Sequence, residues 1–173
     1  KYKGSDIGFF LGCGETINDI TPNQWEIITS NDVWVSNNFL YHPVVPDFYH
    51  LELKSGKQKW LNIWKRRYKE KTDYDPVKFI VNKDHHDHLL YALDGEPPWI
   101  FGYPRRVMRS NNHCSLKPHC ATHSNNASFT LVMDLMFKMG YEKIIIFGVD
   151  LKHSRYFWTG KKKFGDTHVQ TNA

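Results

Sequence analysis

The chain lacks most of what would assign it to a specialised class. Its three cysteines in 173 residues are an odd number, and too few for a disulfide framework, so a reducing cytosol is the simplest home. Its longest nearly unbroken apolar run, 144–149, is far short of the roughly 20 residues of a membrane helix. Internal repeats and low-complexity linkers are missing, and nothing at the N-terminus has the pattern of a signal peptide. Membrane-spanning, fibrous and disordered proteins are thereby set aside. What is present fits one globular domain over 1–173: 40% hydrophobic, 24% charged and 15% aromatic residues, enough to bury a core. The chain starts at Lys1 and stops in a polar tail, so a further C-terminal piece is expected.

Charge is unevenly spread. The net charge is +5, yet residues 54–71 hold eight Lys or Arg against one Glu. A single basic segment favours a local anionic partner over general nucleic-acid binding, and no nucleic acid is expected. The same segment has Trp60, Trp64 and Tyr68 at i, i+4 and i+8, which predicts an amphipathic helix over 57–70. Its aromatic stripe would pack on a sheet while its Lys and Arg face water, an anionic glycan or a membrane surface.

Strand and helix signals alternate. Strands are predicted at 7–11, 32–36, 46–51 and 77–81, with a fully buried one at 143–148. Helices are predicted after Thr21-Pro22, over 57–70, near 84–93 and over 128–139, the last ending at Gly140. Thr16 is a second candidate N-cap. The Gly-, Pro-, Asn- and His-rich stretch 94–125 reads as an irregular loop or lid near the active site, with at most one short strand. The alternation predicts an α/β domain, a Rossmann-like three-layer sandwich with a mostly parallel sheet. Ligands in such sheets sit beyond the carboxyl ends of the strands, where strand order reverses.

Chemistry is therefore sought in the loops after strands. Gly12-x-Gly14 ends the first strand, where glycines let a backbone approach a phosphate; without the third glycine of the dinucleotide fingerprint, NAD or FAD is not indicated. The alternative is merely a tight turn. Glu15 is awkward there, since an acid repels a phosphate unless it turns away. Asn37-Asn38 can read a ribose or base, or can form a plain Asx-type turn. Asp150 ends the last strand, where α/β enzymes place working carboxylates. The His and Cys clusters at 84–88 and 113–123 contain metal-ligand types but lack paired C-x-x-C spacing, so solvated histidines are the expected reading and no metal site is assigned.

The series Phe10-Leu11-Gly12-Cys13-Gly14-Glu15-Thr16-Ile17, then Val35-Ser36-Asn37-Asn38-Phe39, then Ser128 leading to Gly140-Tyr141-Glu142-Lys143-Ile144-Ile145-Ile146-Phe147-Gly148-Val149-Asp150 resembles bacterial lipooligosaccharide sialyltransferases, glycosyltransferase family 42. It is also similar to the wider group of glycan-biosynthesis proteins with an MptE-like, pterin diphosphokinase-like Rossmann domain. The likeness covers residues 5–55 and 125–168. It implies a nucleotide site made of Gly12, Cys13, Gly14, Thr16, Asn37, Asn38, His50, Ser128 and Asp150. Cys13 and Glu15 stand where the family has Asn and Pro. The family's phosphate-binding tyrosines fall at Lys152 and near Trp158, with Tyr156 as substitute, and the His base of the downstream loop falls at His168. The implied activity is transfer of a sugar from a CMP-activated or other nucleotide donor to a surface-glycan acceptor, with no cofactor required. Residues 57–70 would contact the inner face of a membrane or an anionic surface. The alternatives are an MptE-like pterin diphosphokinase using ATP and Mg²⁺, with Asp150 and Glu52 as its acids, and a non-catalytic nucleotide- or glycan-binding module.

Overall fold

The computed structural model describes residues 2–52, 58–70, 73–74, 76–82, 87, 90–91, 99–103, 105–106, 122–123, 128–150 and 155–159. Strands β1 (Ile7–Leu11), β2 (Asp32–Ser36), β3 (Phe48–Leu51), β4 (Lys78–Asn82), β5 (Ile100–Tyr103) and β8 (Lys143–Phe147) form one sheet in the order β5-β4-β3-β2-β1-β8. Every pairing in it is parallel. A separate parallel pair joins β6 (Arg105–Arg106) to β7 (Thr122–His123). Helices α1 (Pro22–Thr29), α2 (Gln58–Lys69) and α3 (Ser128–Lys138) accompany the sheet, with 3₁₀ turns at Glu15–Asp19 and Asn37–Tyr41. This is an α/β, Rossmann-like architecture.

Strand alternation sends side chains to two faces, and each face has its own cover. Phe9, Leu11, Val33, Val35, Tyr49, Leu51, Phe79 and Val81 meet Ile28 of α1 and Trp64 of α2. Phe10, Trp34, Phe48 and Ile80 meet Leu131, Val132 and Met136 of α3. The Trp64 and Tyr68 stripe of the basic helix thus packs inward, stacked at 5.5 Å.

Local chemistry explains several element ends. Thr21 and Gln24 form a reciprocal capping box at α1, with Pro22 in its first turn. Gly140 has φ +77° after α3, the left-handed conformation that ends a helix at no steric cost to glycine. Thr16, by contrast, is not an N-cap: Gly14 caps the 3₁₀ turn and Thr16 lies within it. The third strand begins at Phe48 rather than at 46, because Asp47 serves as a bracket, donating its N–H to the Val33 carbonyl (3.0 Å) and accepting the Val33 N–H on its carboxylate (2.8 Å). Asp87, Leu90 and Tyr91 are helical, within the helix expected near 84–93.

Two expectations fail. Where 94–125 is expected to hold at most one short strand, its described residues supply three, β5 to the main sheet and the β6–β7 pair. Its glycine and prolines hid a strand whose Ile100 and Phe101 help cover the core. The run 143–148 is not fully buried: β8 pairs only with β1 among the described residues, and Ile146 is 43% exposed. A continuous apolar run identifies a strand but cannot say whether both of its faces are covered. Among the described residues, no helix is long and apolar enough to cross a membrane.

The amino ends of the strands are pinned by acids. Buried Asp32 accepts the Gly4 N–H on both oxygens (3.0 Å each) and the Tyr141 hydroxyl (2.6 Å), which itself accepts the Trp34 indole N–H (3.0 Å). Burial raises the pKa of nearby Asp47, the Val33 N–H opposing the rise and the Asp32 charge adding to it.

This packing makes two differences in stability measurable. Ile146→Ser should cost less than about 1 kcal/mol in urea unfolding, whereas Leu11→Ala should cost about 2–5 kcal/mol; a large loss at Ile146 would restore the buried reading of β8. Because Asp47 binds its proton more tightly in the folded state, its contribution is fully present below its ordinary value of 3.8 and is lost as pH rises through the folded value. Asp47→Asn should therefore gain in melting temperature relative to the parent between pH 3 and pH 7; a flat difference would contradict the shift.

Candidate functional site

The chain runs outward from β1 to β5 and then returns to the other side of β1 as β8. Strand order reverses between β1 and β8, so the crevice favoured by ligands in open α/β sheets lies between the turns that leave these two strands. Both turns are built by close backbone approach. Gly12 donates its N–H to the Phe147 carbonyl and Gly14 to that of Gly148, each at 2.8 Å. A Cβ on Gly12 would overlap the Gly148 carbonyl oxygen, and one on Gly14 would overlap the Asp150 carboxylate. The glycines at 12 and 14 are thus required by the chain's own return strand, whatever else the turn holds.

Asp150 occupies the mouth of that turn. Its Oδ2 accepts the Thr16 backbone N–H at 3.1 Å, and its Oδ1 accepts the Thr16 hydroxyl. A carboxylate therefore sits on the donors that a phosphate oxygen would use. Glu15 turns away and pairs with Arg155 at 3.1 Å, which removes the clash that its position in the sequence signals; at this exposure the pair is worth at most about 1 kcal/mol. Beyond Arg155 the chain crosses back over the turn. Tyr156 bridges Gly14, the Phe157 N–H donates to the Cys13 carbonyl at 3.0 Å, and Asn18 donates its amide N–H to the Phe157 carbonyl at 3.0 Å. Tyr156 is 40% exposed beside the turn.

A second polar cluster lies at the ends of β2 and β3. Asn37 has φ +51°, uncommon outside glycine but tolerated by Asn. Tyr49 holds this strained residue by donating its hydroxyl to the Asn37 carbonyl at 2.5 Å while accepting the Leu40 N–H at 2.7 Å. Burial holds the Tyr49 pKa well above the ordinary phenol value, so its proton stays in place. The Asn37 side chain donates to the Ser128 hydroxyl at 3.0 Å and accepts the Glu52 N–H at 3.2 Å. Ser128 in turn donates to the Glu52 carboxylate at 2.6 Å. Three residues, one just past β2, one just past β3 and one at the start of α3, thus converge on one spot. His50, one residue before the end of β3 and in register with Ser36 of β2, is 1% exposed.

Cys13 links the two turns. Its thiol donates to the Ser36 carbonyl at 3.6 Å, and burial pushes its pKa up to about 12 against the opposing effect of the Asn38 backbone. The side chain is partly buried against the core, and the raised pKa keeps it in the thiol form at neutral pH.

Of the residues singled out in the sequence, Gly12, Gly14, Thr16, Asp150 and Tyr156 form one group, Asn37 and Ser128 form another, and Cys13 with Asn38 joins them. Lys152 and His168 lie outside the described residues, as do 84–86, 88 and 113–121 of the His- and Cys-rich segments. Among the described residues, no three His, Cys, Asp or Glu side chains are grouped to hold a metal ion. Sequence reasoning named Glu52 only as an acid for a metal. Its bond to Ser128, 76 residues away, left no local signal. No protein-family profile matches this chain, and neither a curated protein nor a solved structure does.

The state of Cys13 is directly testable. In the native protein at pH 8, peptide mapping after iodoacetamide treatment should find Cys13 unmodified, with labelling appearing only in denaturant. Rapid native labelling at Cys13 would overturn the raised pKa of this thiol.

Proposed function

We propose that the chain is a nucleotide-sugar-dependent glycosyltransferase of the sialyltransferase-like kind, moving a sugar from a CMP-activated donor to a surface-glycan acceptor. The observation that carries this reading is the meeting of Asn37 and Ser128, 91 residues apart, at 3.0 Å beyond the carboxyl ends of the strands. These are two of the residues that the resemblance assigns to the nucleotide. Asn37 and Glu52 offer donor and acceptor groups to a ribose or base edge. The turn at 12–16 receives the phosphate as Asp150 gives way. Tyr156, held by its bridge to Gly14, donates its hydroxyl to the leaving phosphate, with Lys152 adding positive charge.

The chemistry is an inverting displacement. An acceptor hydroxyl oxygen forms a bond to the anomeric carbon, and the bond from that carbon to the phosphate oxygen breaks. The hydroxyl proton passes to His168 as general base, and CMP departs with the electron pair. The protein works in the cytoplasm, with the exposed Arg66 and Lys69 of α2 turned to an anionic glycan or the inner face of a membrane.

One observation favours a second reading, a non-catalytic nucleotide- or glycan-binding module: the Asp150 carboxylate already fills the donors of Thr16. A third, a diphosphokinase using ATP and Mg²⁺, draws on Glu52 and Asp150 as metal-binding acids.

A thermal-shift panel separates the three. CMP without metal, at about 100 times its Kd, should add roughly 2.7 kcal/mol of stability. Ser128→Ala should weaken CMP binding about tenfold, and Asp150→Asn should strengthen it by removing the competing anion. Stabilisation by ATP only with Mg²⁺ would replace this reading with the kinase. Silence towards all nucleotides would favour the binding module.

A further inference from the structure

Three bonds join Asn37, Glu52 and Ser128 into a closed ring, and chemistry sets the direction of each. A carboxylate only accepts, so the Ser128 hydroxyl donates to Glu52 Oε2 at 2.6 Å. Its one proton is then committed, and Ser128 accepts from Asn37 Nδ2 at 3.0 Å. With the nitrogen placed there, the Asn37 carbonyl oxygen faces the Glu52 N–H at 3.2 Å and closes the ring. A flipped Asn37 amide would break two of the three bonds, so the network fixes it in one orientation.

The ring decides what this spot can bind. All three residues are half-buried and keep part of their surface open to solvent. Ser128 has no proton to give a ligand. A carboxylate has about four acceptor positions, and the ring occupies one of those on Glu52. A ligand therefore meets mainly acceptors and a negative charge. That repels a phosphate and suits a group with two neighbouring donors, which can reach one carboxylate through parallel bonds. In a cytidine nucleotide the only such group is the 2′,3′-diol of the ribose, since the cytosine edge carries a single amino donor. The place agrees: Cys13 of the phosphate turn is bonded to Ser36, the residue before Asn37, and a ribose lies beside its own phosphate. A guanine edge, with two adjacent N–H donors, shares this chemistry and is told apart from the diol by deoxyribonucleotides.

We infer that Glu52 is a ribose reader, accepting both hydroxyls of the 2′,3′-diol and so selecting ribonucleotides over 2′-deoxyribonucleotides. Asn37 and Ser128 are positioning residues that aim its carboxylate. The inference deepens the transferase reading and rests on it for the cytidine base of the donor; selection of the diol is independent of the base.

The test is calorimetric titration of the whole chain with CMP, AMP and GMP and with the 2′-deoxy form of each. Every ribonucleotide should bind about ten times more tightly than its deoxy form, or better. Glu52→Gln, which has one acceptor oxygen and no charge, should remove that preference, with circular dichroism checking that the variant folds. Ser128→Ala, which frees the carboxylate to turn, should weaken CMP and shrink the preference while leaving 2′-deoxy-CMP near its parent affinity; a merely structural role would weaken both alike. Equal binding of CMP and 2′-deoxy-CMP, or a preference that survives Glu52→Gln, would overturn the ribose reader and leave the transferase reading standing. A ribose preference shared by AMP and GMP, with no advantage for CMP, would do the reverse. Binding of 2′-deoxy-GMP as tightly as GMP would move the paired donors to a guanine edge and overturn the diol. Binding by none of the six would overturn both.

Discussion

The architecture of the ligand-facing edge depends on how the return strand closes against the first. The β1 turn donates its Gly12 and Gly14 N–H groups to the carbonyls of Phe147 and Gly148, and this continues the β1–β8 ladder past the last paired residues, Leu11 and Phe147. Because two backbones occupy the space where Cβ atoms would sit, neither glycine can be replaced without moving one strand end away from the other. Everything downstream inherits its position from this closure. Asp150 reaches Thr16 only because Gly148 is held down, and Tyr156 and Trp158 face the turn only because Phe157 is tied to Cys13 and Asn18.

The same closure leaves β8 as an incompletely covered strand. Its apolar side chains are half-exposed, while β2, two places further in, is buried throughout. The difference is position in the sheet and not composition, since both strands are rich in β-branched residues. The sheet's stability therefore concentrates in β1 to β4, where α2 and α3 cover opposite faces. The cluster formed by Asn37, Glu52 and Ser128 sits on that firm part. The strained φ of Asn37 persists because Tyr49 and its two side-chain partners hold it, as expected of strain stored where surrounding structure over-determines it.

Local patterns in the sequence reached some features and not others. The capping box at Thr21 and Gln24, the strand over 7–11 and the glycine stop at 140 are short-range physics, and each is read from adjacent residues. The inward stripe of Trp64 and Tyr68 came from helical spacing. The failures are all non-local. Strand β5 was obscured by glycine and proline around it, because propensity is weak where sheet pairing decides. The covering of β8 and the Ser128–Glu52 bond depend on segments dozens of residues apart. Glu15 is instructive in the other direction: its sequence position signalled a conflict with a phosphate, and the Arg155 pairing is how the fold turns it aside.

Asp150 gives the turn a property that an empty phosphate loop would not have. With an internal anion on the Thr16 N–H and hydroxyl, those donors are satisfied in the unliganded chain, and their desolvation is offset before any ligand arrives. On the proposed reading, a phosphate would have to displace a carboxylate already in place, and its apparent affinity would scale with the fraction of molecules in which that carboxylate has moved away. On that reading, occupancy of the turn and the position of the Asp150 carboxylate are coupled through a single side chain.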